Sequence, residues 1–310
     1  MKKRVLAAMM LLCGLLVSQS SAQKPVVALD CYHNTESPAH YTWQKVGLGG
    51  YSQFAQILLT LGADTSTITT PLDSPTLSHV SVLFIVNPGR TATSNLIGAA
   101  EIDAVDKWVQ QGGKLMCFAN NTGHVEFVHY NQLMARFGIT FNDTTQTGGS
   151  NFGPVPQNEV FSSCTTFYIV DMCNLTITAP AKSVFTFQGS VLMATALKGK
   201  GKVFATGDPW VYDEHIAAKD NIKGITQVMT WLLGQTTGVF SHGMTPQKHF
   251  SEYSSSTAFR MFLPNGRLIS AAIRKSSPAL ARSDAAAPMA HGNECIMSGP
   301  TGGQKHISIR

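Results

Sequence analysis

Apolar runs that end in polar residues are the main pattern of this chain, and they predict buried strands that meet at one edge of a sheet. Four of these runs occupy residues 26–31, 80–86, 114–119 and 203–206. The polar residues that follow them are His33, Asn34, Asn87, Asn120, Asn121 and Asp208. In an open parallel sheet, ligands bind beyond the carboxyl ends of the strands. We therefore expect these polar residues to surround one cleft.

Helical periodicity alternates with the strand pattern up to residue 142. Apolar residues recur at helical spacing in 51–61, 100–111, 125–137 and 221–233. This alternation favours an α/β fold with a doubly wound parallel sheet. Between 160 and 206, short strands follow one another without helices, after a Gly- and Pro-rich loop at 148–156. These strands predict an antiparallel extension that packs on the same core.

The first 22 residues have the three parts of a secretory signal peptide. Basic residues at 2–4 form a positive start, residues 5–17 are largely apolar, and residues 20–22 are small. The apolar part is shorter than the about 20 residues that a membrane-spanning helix needs. We expect cleavage after residue 22 and a periplasmic or secreted protein without a membrane span. Lipid attachment at Cys13 is an alternative.

Charge is distributed unevenly along the chain, and the distribution argues against a nucleic-acid partner. The formal net charge is +5, but residues 23–235 have twelve basic and fifteen acidic side chains. A surface that binds the phosphate backbone needs clustered basic residues. Residues 236–310 have eight basic and three acidic side chains and are rich in Ser, Ala, Gly and Pro. We therefore predict an α/β domain at 23–235 and a low-order tail at 236–310.

The cysteines do not have the spacing of a metal site or of a disulfide framework. Five remain after the predicted cleavage, at irregular intervals and without a CxxC pair, which argues against a cysteine metal site. We expect no metal and no cofactor. A bridge between Cys164 and Cys173 stays open. Cys117 lies inside a predicted strand, ahead of the tight strand-to-helix turn that a catalytic nucleophile occupies. That turn falls near Asn120 or Asn121, which are not usual nucleophiles.

Asp208, Glu126, His33 and His129 are the candidate catalytic residues. Asp208 follows a strand in the sequence Gly-Asp-Pro-Trp, where a carboxylate serves either as a general base or as a cap of the next turn. Glu126 and His129 are three residues apart at a predicted helix start, so they share a face. This pair fits an acid–base or metal-binding cluster with Asn121. It equally fits a solvated first turn in which Glu126 favours the helix dipole.

Polar and aromatic residues after the first strand are typical of a sugar-binding site. His33 and Asn34 offer hydrogen bonds to hydroxyl groups, and aromatic rings offer faces for the apolar side of a sugar. The candidate binding residues are Asn34, His40, Trp43, Asn87, Asn121 and Trp210. The alternative is a structured loop whose aromatic residues only cover the edge of the sheet.

Together, several of these motifs resemble the glutamine-amidotransferase-like domain appended to bacterial unsaturated rhamnogalacturonyl hydrolases. The matching segments are residues 32–34, 40–43, 120–123, 126–129 and 207–210. The resemblance covers residues 25–234 and implies a flavodoxin-like, class I amidotransferase-type sheet and a setting in secreted pectin breakdown. The amidotransferase cysteine has no counterpart at the expected turn. We also expect no helical-barrel hydrolase domain within these 310 residues.

Two functions follow from the residues and the resemblance. The first is a non-catalytic carbohydrate-binding or accessory domain of rhamnogalacturonan breakdown, whose partners are an oligo- or polysaccharide and a glycoside hydrolase. The second is a glycoside hydrolase of pectin-derived oligosaccharides, with Asp208 and Glu126 as the carboxylate pair and His33 or His129 assisting. Glycosidases hold their two carboxyl groups about 5 to 9.5 Å apart, so the separation of the pair distinguishes the two functions. The binding function is our preferred prediction.

Overall fold

The computed structural model describes residues 23–34, 39–89, 95–146 and 149–235, together with the backbone of four strands between residues 258 and 309. The chain divides into two units, Met1–Val239 and Phe240–Arg310. The predicted signal peptide at 1–22 lies outside the described residues, so it stays a prediction. None of the helices in the described part has the length and apolar content that a membrane crossing requires.

Strands and helices alternate in the first unit up to residue 137, and strands dominate from there to residue 206. The strands are β1 (Val26–Asp30), β2 (Asp64–Ile68), β3 (Val82–Val86), β4 (Lys114–Phe118), β5 (Ile139–Phe141), β6 (Gly149–Phe152), β7 (Phe167–Ile169), β8 (Leu175–Ile177), β9 (Lys182–Phe187), β10 (Ser190–Lys198) and β11 (Gly201–Thr206). The helices are α1 (Ser52–Thr60), α2 (Ser74–Leu77), α3 (Ala99–Gln111), α4 (Phe127–Met134), a 3-10 turn (Ala135–Phe137) and α5 (Asn221–Leu233). Each predicted helix is present, whereas α2, β5 and β6 were not predicted.

Among the described residues, a sheet of nine strands forms the centre of the first unit, and its main part is parallel. Five strands lie side by side in the order β2-β1-β3-β4-β11, and every neighbouring pair among them is parallel. Strands β10, β8 and β5 continue the sheet in antiparallel pairs, and β9 pairs with β10. The prediction of a mostly parallel α/β sheet with an antiparallel extension is confirmed. β6 and β7 form a separate antiparallel pair, so the loop predicted at 148–156 is wrong over Gly149–Phe152.

Both faces of the inner parallel strands are buried, because helices cover each of them, whereas the edge strand β2 is only partly covered. All five residues of β3 are buried, and alternate residues belong to two different apolar clusters. Phe84 shares one cluster with Phe54 of α1, and Leu83 shares the other with Val105 of α3. Burying one such side chain contributes about 1.5–3 kcal/mol. A strand that is covered on both sides has a continuous apolar sequence, which explains the run at 80–86.

The register of the parallel strands brings their carboxyl ends to one edge. Val86 of β3 pairs with Phe118 of β4, and Phe118 pairs with Thr206 of β11. The pairing continues one residue further, since the Asn87 N–H donates to the Phe118 carbonyl over 3.1 Å. The segments that follow β1, β3, β4 and β11 therefore leave the sheet at the same edge, as the sequence predicts.

The described residues of the second unit form two antiparallel strand pairs. β12 (Ala258–Phe262) pairs with β13 (Leu268–Ala272), and β14 (Asn293–Ser298) pairs with β15 (Gln304–Ile309). The sequence predicts a low-order tail over 236–310 and none of these strands. The rest of this range lies outside the described residues, and there the low-order tail stays a prediction.

Candidate functional site

An open cleft of about 220 Å³ lies beyond the carboxyl ends of the parallel strands. Its walls come from the segments that follow β1, β4, β7 and β11. The lining residues are His40, Tyr41, Asn120, Asn121, His124, Val170, Asp171 and Tyr212. Pockets for drug-sized ligands occupy about 300–1,000 Å³. The cleft is smaller, so its size suits one small polar ligand or one ring of a longer ligand.

The cleft combines polar and apolar surface, and its described lining includes a single carboxylate. His40 and His124 contribute imidazoles, Asn121 an amide, Tyr212 a phenol and Asp171 the carboxylate. These groups include both donors and acceptors of hydrogen bonds, which suits a neutral ligand rich in hydroxyl groups. The structure thus brings together His40 and Asn121, two of the residues predicted to bind substrate.

A compact turn at residues 120–124 forms one wall of the cleft. The Asn121 N–H donates to the Asn120 side chain over 2.8 Å, and the His124 N–H donates to the Asn121 carbonyl. Gly123 has a φ of +80°, a left-handed conformation that glycine adopts without steric cost. Asn and Gly favour such turns because they bond the local backbone or permit positive φ. Hydrogen bonds within the turn therefore hold the backbone that carries the Asn121 side chain.

Asp208 lies behind the wall of the cleft and not inside it. Its side chain is 1 % exposed, and its Oδ2 accepts from the Val170 N–H over 2.8 Å. Burial raises the pKa of this carboxyl well above its ordinary value of 3.8, although the bond from Val170 opposes the shift. The structure does not place Asp208 where a general base reaches a ligand in the cleft. Instead, Asp208 supports the backbone of Val170, a lining residue.

Glu126 caps α4, and its carboxylate is engaged by that role. Its oxygens accept from the Val128 N–H over 3.1 Å and from the His129 N–H over 2.9 Å. The His129 Nδ1 lies 3.1 Å from Glu126 Oε2, so the two side chains contact each other. A carboxylate at this position satisfies exposed amides of the first turn and favours the helix dipole. The structure thus supports the helix-start alternative, and neither residue lines the described cleft.

His33 belongs to a buried charge cluster with Asp30 and Glu101. Its Nδ1 lies 2.7 Å from Asp30 Oδ2, and its Nε2 lies 3.2 Å from Glu101 Oε1 in an ion-pair contact without hydrogen-bond geometry. Burial alone lowers the pKa of His33, but the two carboxylates outweigh it, and the pKa lies above its ordinary value of 6.5. His33 is fully buried. These contacts give His33 a structural role, which holds the segment after β1, and its catalytic role stays a prediction.

Asn34, Trp43 and Trp210 are buried as well. The Asn34 amide donates to the Tyr41 carbonyl over 3.1 Å, and Trp43 Nε1 donates to the Ser66 carbonyl over 2.7 Å. Trp210 is fully enclosed in the apolar cluster that includes α5. Neither tryptophan lines the described cleft, so the structure does not support their binding role, which stays a prediction. The Asn34 amide thus holds the loop backbone, and its binding role stays a prediction.

Asn87 follows β3 in a left-handed conformation, and its side chain has no partner in the described part of the chain. Its φ is +42°, and the residue is fully buried. Neither its Oδ1 nor its Nδ2 has a hydrogen-bond partner among the described residues. A strained turn after a central strand is the geometry that presents a nucleophile in other folds. The sequence predicts such a turn near Asn120, whereas the positive φ of a non-glycine residue after a parallel strand is found at Asn87. The binding role of Asn87 stays a prediction.

Cys117 does not have the position or the charge state of a nucleophile. It is fully buried in β4, and burial raises the pKa of its thiol to about 12. Cys164 and Cys173 are free thiols, so no bridge joins them. Across the described ranges, no group of three or more His, Cys, Asp or Glu side chains is placed to hold a metal ion.

Asp171, Tyr212 and His124 line the cleft but were not among the candidates. His124 stands three residues after Asn121, and Tyr212 four residues after Asp208, so both lie beside motifs that the sequence singles out. Asp171 follows β7, which pairs with β6 outside the main sheet. Because the pattern of the parallel strands does not extend to β7, no sequence signal marks Asp171.

Comparisons with solved structures give matches over about two thirds of the chain. The mmIFT52 N-terminal domain is 19 % identical with a TM-score of 0.54, and the match covers 67 % of this chain and 97 % of that chain. Cytoplasmic Protein STM1381 from Salmonella typhimurium LT2 is 11 % identical with a TM-score of 0.48, over 67 % and 99 %. Exo-beta-1,4-mannosidase Op5Man5 from Opitutaceae bacterium strain TAV5 is 20 % identical with a TM-score of 0.40, over 68 % and 36 %. The similarity to the mmIFT52 domain bears on the fold alone. The search of curated proteins found no match.

A family match covers more than half of the chain. The matched family is DUF4350, a domain of unknown function, and the match runs over residues 48–223. Six of the eight residues that line the cleft fall inside this range, and His40 and Tyr41 precede it. The chain therefore belongs to the DUF4350 family.

Proposed function

We propose that this chain is a carbohydrate-binding accessory domain that acts beside enzymes of saccharide breakdown and does not itself break a glycosidic bond. The cleft supports this proposal best, because it combines imidazole, amide and phenol groups with a single carboxylate among its described lining residues. Hydroxyl groups of a sugar need both donors and acceptors at short range, and these side chains supply both. The small volume of the cleft fits one sugar unit.

A flavodoxin-like fold, as in class I glutamine amidotransferases, is part of the proposal. Counted along the chain, the five parallel strands lie in the order 2-1-3-4-5, which is the flavodoxin-like order. Ligands of such sheets bind where the strand order reverses, which is here between β1 and β3. His40 and Tyr41 reach the cleft from the segment after β1. The strand order therefore supports both the fold and the place of the site.

The hydrolase alternative receives less support from the same residues. Most glycosidases use two carboxyl groups, about 5 to 9.5 Å apart, that face the glycosidic bond. Asp208 is buried behind Val170, and Glu126 caps α4. Among the described lining residues, Asp171 alone supplies a carboxylate to the cleft. Binding without turnover is the function that this arrangement favours.

Rhamnogalacturonan and related pectic oligosaccharides are the ligands that we propose. The resemblance to domains appended to rhamnogalacturonyl hydrolases suggests this class of saccharide and a glycoside hydrolase as the partner. The signal-peptide pattern at residues 1–22 agrees with a secreted or periplasmic setting, where such polysaccharides occur.

Calorimetric titration of the full chain with a panel of pectic oligosaccharides tests the proposal. We expect saturable binding, and chromatography of the same samples should show no cleavage product. Asn121→Ala should weaken binding about threefold to tenfold, because it removes one amide from the cleft. Leu197→Ala is the matched control: Leu197 is exposed on β10 opposite the first residues of β11, away from the carboxyl edge.

Two results would contradict the proposal. The first is that the wild-type chain binds no saccharide of the panel. The second is that the wild-type chain cleaves one of them. If Asp208→Asn then abolished cleavage, the hydrolase alternative would replace the proposal.

A further inference from the structure

Three aromatic side chains form a continuous cluster beside the cleft. The centroid of the His215 ring lies 4.8 Å from that of Tyr168 and 4.7 Å from that of Tyr212. All three residues are half-buried, so part of each reaches the surface. We refer to Tyr168, Tyr212 and His215 as the aromatic ledge.

The aromatic ledge adjoins the cleft at two points. Tyr212 itself lines the cleft. Tyr168 stands two residues before Val170, another lining residue, and both are half-buried whereas Ile169 between them is buried. Residues two positions apart in an extended segment lie on the same side. The aromatic ledge and the cleft therefore form one surface.

Asn221, the first residue of α5, fixes the backbone that supports the aromatic ledge. It is fully buried. Its Oδ1 accepts from the Tyr168 N–H over 3.1 Å, and its Nδ2 donates to the carbonyls of Tyr168 over 2.8 Å and His215 over 3.0 Å. One side chain thus sets the spacing between the two segments that supply the rings. A surface that is already ordered loses less conformational entropy when a ligand binds.

We propose that the aromatic ledge is a second sugar-binding position, so that the protein binds an oligosaccharide with one unit in the cleft and the next unit against the ledge. This inference rests on the proposed function. Aromatic rings contact the C–H face of a sugar, while the tyrosine hydroxyls and the imidazole hydrogen-bond to its hydroxyl groups. Burial lowers the pKa of His215 below its ordinary value of 6.5, so its ring is uncharged at neutral pH.

Calorimetric titration of the full chain with pectic saccharides of increasing length, from a monosaccharide to a hexasaccharide, tests the second position. Wild-type affinity should rise once the ligand has more than one unit. Tyr168→Ala should lower the affinity for the longer ligands about threefold to tenfold. It should leave the affinity for the monosaccharide unchanged. Tyr168→Phe keeps the ring and should keep the gain. Circular dichroism checks that each variant is folded. If Tyr168→Ala does not fold, His215→Ala provides a second truncation of the aromatic ledge.

The possible failures are distinguishable. If wild-type affinity does not depend on ligand length, or if the ring truncations keep the gain, the aromatic ledge is not a binding position, while the proposed function stands. If the wild type binds no saccharide of any length, the proposed function fails and the second position fails with it. A loss of affinity in Leu197→Ala as large as that in Tyr168→Ala would also overturn the inference.

Discussion

The His33 imidazole pairs with the Asp30 carboxylate at the carboxyl end of β1, with 2.7 Å between Nδ1 and Oδ2. The other Asp30 oxygen accepts from the backbone N–H groups of Tyr32 and His33. Glu101 of α3 faces Nε2 on the other side of the His33 ring and accepts a hydrogen bond from the Leu72 N–H over 2.8 Å. The cluster therefore joins β1 and α3 with the segment before α2, which is a stabilising arrangement.

His33→Ala should lower the free energy of unfolding by about 3–5 kcal/mol, because it leaves the buried Asp30 carboxylate without its cationic partner. Urea unfolding followed by circular dichroism measures this loss. His129→Ala is the matched control: it removes a half-exposed imidazole from an ion pair and should cost less than about 1 kcal/mol. Equal losses in the two variants would contradict the structural role of His33.

The same pair predicts that stability falls as the pH rises above 6.5. The pKa of His33 in the folded protein lies above its ordinary value of 6.5, so in this range the folded state holds a proton that the unfolded state has lost. The contribution of His33 is fully present below pH 6.5 and is lost as the pH passes the folded pKa. The difference in unfolding free energy between wild type and His33→Ala should therefore shrink with rising pH. A difference in unfolding free energy that grows with pH would contradict the raised pKa of His33.

Glu126→Ala should lower the free energy of unfolding by about 1 kcal/mol, because two N–H groups at the start of α4 lose their acceptor. Glu126→Asp keeps a carboxylate at a position that favours aspartate and should restore most of the loss. Thermal unfolding measures both changes. Saccharide affinity should be equal in the two variants, since Glu126 does not line the described cleft. A folded Glu126→Ala protein with reduced affinity would contradict the capping role.

The central strands were predictable because burial on both faces leaves a continuous apolar signal. β3 is apolar throughout and lies between two parallel neighbours, so its sequence identifies it. β5 and β6 have three and four residues, and the pairing of such short strands depends on contacts far along the chain. α2 has only four residues, which is too short for a helical period to appear.

The edge that holds the cleft was predictable, but the burial of individual side chains was not. Parallel order alone brings the segments with His40 and Asn121 to one edge. A residue that follows a strand, however, either faces the cleft or supports its wall, and the sequence is the same in both cases. Asp208 is the example, because its partner is the N–H of Val170, which is remote in sequence. Trp43 likewise looks available in sequence, but its ring is buried.

Asn87→Gly should raise the free energy of unfolding by about 1 kcal/mol. Glycine adopts the φ of +42° without the cost that another residue meets there, about 1 kcal/mol, and it removes a buried amide that has no partner among the described residues. Asn87→Ala is the matched control, because it removes the amide but keeps the left-handed strain, so its gain should be smaller. Urea unfolding compares the two. A loss of stability in Asn87→Gly would mean that the amide contributes to the fold.

Asp208→Asn should become more stable relative to the wild type as the pH rises from about 4 towards the folded pKa of Asp208. Burial raises the pKa of Asp208 in the folded state well above 3.8, so over this range the unfolded chain releases a proton that the folded chain retains. Wild-type stability therefore falls with rising pH, whereas asparagine has no proton to release. The asparagine oxygen still accepts from the Val170 N–H, so the wall of the cleft should persist.

Urea unfolding of wild type and Asp208→Asn at a series of pH values measures this effect, and saccharide titration of the same samples tests the role of the residue. The accessory function predicts that affinity is retained, because Asp208 touches the backbone of Val170 and lies outside the described cleft lining. If the variant instead lost stability relative to the wild type as the pH rose, the carboxylate would be ionised and stabilising in the folded protein. Asp208 would then be a charged group at the base of the cleft, and a direct role in its chemistry would regain support.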